Sequence, residues 1–107
     1  MNLYGDLLRG HTDMILLAII NEGDSYGYVI NKKIQESTNH NLILTEATLY
    51  TSLKRLEASG YIRSYWLMSD SGKRRKYYSI TKAGKEYLSN QKKAWGFAKE
   101  TIDHIIN

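Results

Sequence analysis

The feature that most constrains the fold is an apolar segment near the start of the chain, Met14 to Ile20. A helix with no polar face belongs in a core, so the block from Leu7 to Ile20 is predicted to form the central helix. The apolar segment is too short to span a bilayer, and the residues before it are not typical of a signal peptide. We therefore expect a soluble, cytoplasmic protein with no membrane partner.

Composition narrows the class of protein. The 107 residues suffice for one globular unit, and 42% hydrophobic with 24% charged residues argues against wholesale disorder. The absence of Cys excludes a disulfide framework and a thiolate metal site. His11, His40 and His104 are widely separated, and no Gly-rich phosphate loop or nucleophile elbow is present. The sequence predicts no enzyme activity, no metal and no cofactor.

The charge is concentrated in the middle of the chain. The segment from Lys54 to Lys85 contains nine basic residues against Glu57 and Asp70, a net charge of +7, whereas the whole chain carries +4. The rest of the chain therefore sums to −3. Such a distribution favours a polyanionic partner, and the alternative is a solvated cationic loop without a partner.

Two further helices are predicted in the first sixty residues. Ser25 is placed to cap a helix that runs to Ser37, within which Gly27 indicates close packing. Residues 42–44 form a short extended stretch. A third helix starts after Thr45, a hydroxyl cap, and is ended at Gly60. Its apolar stripe is Leu49, Leu53 and Leu56, and its opposite face carries Ala47, Tyr50, Thr51, Lys54 and Arg55.

Two segments with strand character follow, Tyr61 to Met68 and Lys76 to Thr81. The turn residues Ser69 to Gly72 lie between them, followed directly by four consecutive cations, Lys73 to Lys76. The pattern predicts a β-hairpin with a basic tip and a basic returning strand.

The order helix, helix, short strand, helix, two-stranded hairpin predicts a mainly α (α+β) fold, a winged helix-turn-helix. In that fold the third helix enters the major groove of double-stranded DNA and the hairpin lies along the adjacent backbone. A protein-interaction module of the same fold, without operator-specific DNA binding, is the alternative. The candidate DNA-binding residues are Thr48, Tyr50, Thr51, Lys54, Arg55, Lys73, Arg74, Arg75, Lys76 and Tyr77.

The last helix, capped by Thr81, has an apolar stripe with a heptad period. This heptad seam consists of Leu88, Gln91, Trp95, Ala98, Ile102 and Ile105. A narrow stripe on a terminal helix predicts pairing with a second copy, and the alternative is packing against its own domain. We therefore expect a DNA-binding domain over residues 1–81 and a dimerisation helix over residues 82–107.

The motifs together resemble the PadR-type transcriptional regulators. The resemblance is carried by Ser25 to Tyr28, by the block from Ala47 to Glu57, by Gly60 to Ile62 and by the run from Gly72 to Gly84. It covers the chain from about Leu7 to its end and is greatest to short members with one C-terminal helix, including a multidrug-binding repressor.

The resemblance implies a homodimeric repressor that binds a pseudo-palindromic operator and is released by a planar aromatic ligand held between the subunits. It implies a ligand site at Met14, Ala18, Leu88 and Trp95, with Lys99 nearby. Lys92 and Lys99 depart from the family pattern, since they replace an aromatic residue and an aspartate. Whether the effector is cationic, neutral or anionic, and whether one exists, stays open, as does a plain dimer-core role for Trp95.

Overall fold

A computed structural model describes residues 7–8 and 10–107 of the chain. Residues 1–6, which belong to the first predicted domain, lie outside the described residues. The helices and strands follow in the order α1 (Thr12–Glu22), β1 (Ser25–Tyr26), α2 (Gly27–Ser37), α3 (Glu46–Ala58), β2 (Ile62–Met68), β3 (Arg74–Ile80) and α4 (Lys82–Ile106).

Helix α1 is the centre of the core, as predicted. Leu16, Leu17 and Ile20 are fully buried and belong to one cluster with side chains from every other helix. The predicted start of this helix at Leu7 was wrong: Gly10 and His11 form a turn, and α1 begins at Thr12. A glycine followed by a residue outside helical geometry interrupts the helix there.

The start of α2 also differs from the prediction. Ser25 does not cap the helix, because Ser25 and Tyr26 form β1 and pair with Tyr78 and Tyr77 of β3. Helix α2 begins at Gly27 without a side-chain cap. The close packing predicted at Gly27 is confirmed: a Cβ there would lie 2.9 Å from Cζ of Tyr50 on α3.

Helix α3 has the predicted bounds. Thr45 Oγ1 accepts a hydrogen bond from the backbone N–H of Thr48 at 3.1 Å, which caps the helix. Gly60, at a φ of 80°, turns the chain after its end. The predicted apolar stripe of α3 is buried against α1 and the sheet.

The sheet is antiparallel with the strand order β1-β3-β2, and Ile62 pairs with Ile80 while Met68 pairs with Arg74. The hairpin of β2 and β3, called the wing below, is therefore confirmed. The third strand of the sheet is β1, so the prediction of a short strand at residues 42–44 was wrong, because the backbone that pairs with β3 comes from Ser25 and Tyr26. Strand β3 begins at Arg74, two residues before the predicted start, so three of the four cations lie in the strand itself. Strand pairing tolerates them because alternate side chains point to opposite faces.

Helix α4 is capped by Thr81, whose Oγ1 accepts from the backbone N–H of Gly84 at 3.0 Å. Leu88 is only 2% exposed and belongs to the core of its own chain. Leu88 was predicted to line both a ligand site and a dimer interface, whereas in the structure its side chain is already covered by its own chain. The buried core therefore includes Gly84 and Leu88, which lie beyond the predicted domain boundary at residues 81 and 82. The side chains after residue 91 are exposed. No helix in the described part of the chain is long and apolar enough to cross a membrane.

Candidate nucleic-acid interface

Helix α3, called the recognition helix below, presents an exposed face of small, hydroxyl and basic side chains. Ala47, Thr48, Thr51 and Lys54 are all exposed, and Tyr50 lies beside them against Gly27. Hydroxyls and a lysine are groups that touch base edges and phosphates. Two edges flank this face, one towards the wing and one towards α1.

On the wing edge, Glu57 ties the recognition helix to both strands of the wing. Ser64 of β2 donates its hydroxyl hydrogen to Glu57 Oε2, and Lys76 Nζ of β3 lies 3.8 Å from Glu57 Oε1. Lys76, predicted to contact phosphate, therefore has a carboxylate partner within the protein. Glu57 thus positions the wing relative to the recognition helix.

On the opposite edge, Arg55 forms a bidentate ion pair with Asp13 in the first turn of α1. Arg55 Nη2 lies 2.5 Å from Asp13 Oδ1, and Nε donates to Oδ2 at 3.2 Å. The hydrogen bond and the charge of Asp13 raise the pKa of Arg55 above its ordinary value. Arg55 was predicted to contact phosphate, and the structure instead gives its guanidinium an internal partner.

Two further wing cations, Arg74 and Arg75, lie over aromatic rings. The guanidinium of Arg74 is 4.6 Å from the centre of the Trp66 ring, and that of Arg75 is 4.8 Å from the ring of Tyr26. Lys73 is exposed at the tip, where its backbone N–H donates to Ser69 Oγ at 3.1 Å. A groove of about 600 Å³ separates the recognition helix from the wing, and Lys54, Trp66, Arg74 and Tyr50 line it. Its cationic and aromatic walls suit a sugar-phosphate backbone.

Three tyrosines cross the outer face of the sheet in register. Tyr26 pairs with Tyr77, and Tyr77 pairs with Tyr65. The rings of Tyr65 and Tyr77 are stacked with centroids 5.8 Å apart, and Tyr65 Oη donates to Asp24 Oδ2 at 2.5 Å. Tyr77, predicted to be a DNA contact, is thus half-buried between two other tyrosine rings, while its neighbour Tyr78 faces the core.

The fold and the basic face agree with comparisons to known proteins. Residues 16–90 match the family described as transcriptional regulator PadR-like. The chain belongs to the PadR-like family of transcriptional regulators. A protein X of Lysinibacillus sphaericus, described as uncharacterised, is 46% identical over 98 residues, which is 92% of this chain and 90% of that protein.

Solved structures of other PadR-like or related regulators have the same fold. A transcriptional regulator from Clostridium thermocellum is 40% identical with a TM-score of 0.86, covering 95% of this chain and 99% of the other. A PadR family regulator from Clostridium difficile is 36% identical with a TM-score of 0.79, covering 89% and 97%. This PadR-like chain is therefore a winged-helix, DNA-binding transcription regulator. Members of its family are transcription regulators rather than enzymes.

The predicted ligand residues of this PadR-like regulator lie on α1 and α4. The ring of Trp95 meets that of His11 edge-on, with centroids 4.8 Å apart. Met14 and Ala18 are half-buried and packed against the core, while Lys99 is exposed one helical turn beyond Trp95. Gln91, the polar residue of the seam, donates to Tyr87 Oη at 3.2 Å within its own chain.

Sequence reasoning missed four residues that make contacts around the candidate interface: Asp13, Asp24, Glu57 and Trp66. The role of Glu57 could have been predicted, because no other acidic residue follows Glu46 on this basic helix and an acid there is a natural ion-pair partner. The partners of Asp13 and Asp24 lie 42 and 41 residues further along the chain. No local pattern connects residues at such a distance.

Proposed function

We propose that this PadR-like chain is a homodimeric repressor whose recognition helices enter successive major grooves of a pseudo-palindromic operator. The observation that carries the proposal is the exposed face of α3 with the basic wing beside it. Thr48 and Thr51 are placed to contact base edges, and Lys54 to contact phosphate. Arg74 and Lys73 follow the adjacent backbone. Each neutralised phosphate releases counterions, so binding weakens steeply with salt.

The distal part of α4 supports the dimer. Trp95, Ile102 and Ile105 are 43%, 53% and 75% exposed along one stripe of the helix. A second copy of the helix is the natural cover for a heptad stripe, which is apolar at most positions. Pairing through α4 would hold the two recognition helices at a fixed separation, about 34 Å for half-sites one helical turn apart.

A planar aromatic effector is proposed to act at Trp95. The ring of Trp95 is partly exposed and contacts His11, which precedes α1. A ligand stacked between the Trp95 rings of two subunits would change how α4 sits on α1 and hence the spacing of the recognition helices. It would release DNA only if it binds the DNA-incompetent arrangement more tightly. Lys99 gives this site a positive charge, which favours neutral or anionic aromatic compounds.

The DNA-binding proposal is tested with a duplex carrying the sequence upstream of the gene, compared with a random duplex at moderate salt. We expect clear preference for the upstream duplex. We also expect Lys54→Ala to reduce the slope of log affinity against log salt by about one. The matched control is Lys93→Ala, which removes the same charge on the side of α4 opposite the heptad seam. Equal affinity for both duplexes would contradict operator-specific repression and favour a protein-interaction role.

The effector proposal is tested by titrating a panel of planar compounds of different charge. Binding should quench Trp95 fluorescence and weaken affinity for the upstream duplex over the same concentration range. Trp66 also fluoresces, so the titration is repeated with Trp66→Phe. Quenching without any change in DNA affinity would identify an incidental site.

A further inference from the structure

Arg55 occupies a position on the recognition helix from which an arginine would reach DNA. It lies one helical turn after Thr51, on the same edge of α3 as Thr48. These three residues line one open groove of about 370 Å³ between α3 and the start of α1. The guanidinium does not extend freely from this groove, because it is bound to Asp13.

The chemistry of the pair makes Asp13 a competitor of phosphate. A guanidinium binds a carboxylate or a phosphate through the same two parallel N–H donors. The side chain of Arg55 is 53% exposed and that of Asp13 is 28% exposed, so the pair lies at the surface within reach of a DNA backbone. Water screens an ion pair at the surface, so a phosphate that offers the same two acceptor oxygens can displace the carboxylate from the guanidinium.

Asp13 is held firmly in this position. It lies in the first turn of α1, where the positive end of the helix dipole favours a carboxylate. Ser52 Oγ accepts a further hydrogen bond from Arg55 Nη2 at 3.4 Å. The carboxylate is on a short side chain at the start of a helix, whereas the guanidinium is on a longer side chain with more rotatable bonds and has to leave both Asp13 and Ser52 to reach a phosphate.

We propose that Asp13 is a positioning residue that competes with a DNA phosphate for Arg55 and thereby lowers the affinity of the protein for DNA. The inference rests on the proposed DNA-binding role of α3. In the wild-type protein Arg55 adds little to phosphate binding, and without the Asp13 carboxylate it makes one additional phosphate contact.

The test measures the binding of a fluorescently labelled duplex over a range of salt concentrations, with the upstream and the random sequences. Asp13→Asn is expected to bind both more tightly and to steepen the slope of log affinity against log salt by about 0.9. With that slope, a fourfold rise in salt concentration lowers the affinity of Asp13→Asn about threefold more than it lowers the affinity of the wild-type protein. Arg55→Gln alone is expected to leave the slope unchanged, and Asp13→Asn with Arg55→Gln to restore the wild-type slope.

Glu22→Gln is the matched control, since it also removes one negative charge from α1 and breaks a surface ion pair, that of Glu22 with Lys33. A slope for Asp13→Asn no steeper than that for Glu22→Gln would overturn the proposal. So would weaker DNA binding by Asp13→Asn at an unchanged melting temperature, which would make Asp13 an anchor of the recognition helix. If Asp13→Asn melts early, Asp13→Ser is measured instead under the same criteria. Failure of operator preference in the wild-type protein is a separate result, because the slopes on the random duplex still compare the variants.

Discussion

The two parts of α4 share one apolar stripe but have different surroundings. At the start of the helix Leu88 is buried in the core and Tyr87 stacks on Tyr61 with ring centroids 4.3 Å apart. Towards the end, Ile102 and Ile105 have the same spacing and are exposed. The same periodic pattern thus describes helical turns that are buried in the domain and helical turns whose apolar side chains are exposed.

The difference shows that a heptad period reports an apolar face without reporting what covers it. Of the two alternatives derived from the sequence, packing against its own domain is correct for the first turns of α4. Dimerisation through the remaining turns is a proposal. Gly84 contributes to the difference, because it brings the helix close to the backbone carbonyl of Tyr61.

The largest expected effect is a difference in stability between substitutions at the start and at the end of α4. Leu88→Ala is expected to lower the free energy of unfolding by about 2–5 kcal/mol, because it leaves a cavity in the shared core. Ile106→Ala, on the exposed end and outside the heptad seam, is expected to change it by about 0.5 kcal/mol or less. Urea denaturation followed by circular dichroism measures both. Equal losses would show that the end of α4 packs on the domain as well.

A second comparison concerns association. Ile102→Ala is expected to raise the dissociation constant of the dimer about a hundredfold, since each dimer loses two buried side chains. Sedimentation equilibrium over a range of concentrations measures it. Lys93→Ala, on the opposite side of the helix, serves as the control. A wild-type protein that stays monomeric while it occupies its operator would contradict the dimer.

Two glycines of α4 offer a finer comparison. A Cβ at Gly84 would lie 2.8 Å from Cγ1 of Ile80 and closer still to the Tyr61 carbonyl oxygen, whereas one at Gly96 meets nothing within 4 Å. Gly84→Ala is expected to destabilise by about 1–3 kcal/mol through overpacking. Gly96→Ala is expected to stabilise by up to about 1 kcal/mol through helix propensity. Thermal melts of both variants measure the effect, and a stabilised Gly84→Ala would place α4 further from Tyr61 and Ile80 than the structure does.

The smallest expected effect is a loss of stability at alkaline pH. It involves Tyr78, which belongs to the same buried core as Leu88 of α4. Burial raises the pKa of Tyr78 above its ordinary value of 10.0. The unfolded chain therefore ionises Tyr78 first, and stability falls as the pH rises above about 10. Urea midpoints at increasing pH for the wild type and Tyr78→Phe measure the difference. A wild-type protein that is no more sensitive to alkaline pH than Tyr78→Phe would contradict the shift.

Features that depend on neighbouring residues were predictable from the sequence. Thr45 and Thr81 were expected to cap helices, and both do so through contacts three residues away. The stripe of α3 and the close approach at Gly27 followed from spacing and residue size. The order of these elements was sufficient to predict the winged-helix fold.

Contacts between residues that are distant in the chain could not be predicted from such local patterns. Serine is a residue type that commonly caps helices, yet Ser25 lies in a strand because it pairs with Tyr78 of β3. Arg55 has the position of a phosphate contact, yet its charge is held by Asp13. Periodicity and capping act over a few residues, so the amino-acid order alone specifies the elements and their buried faces. Which surfaces and charges meet is set by the packing of α1, the wing and α4, since Coulomb attraction and apolar contact act through space rather than along the chain.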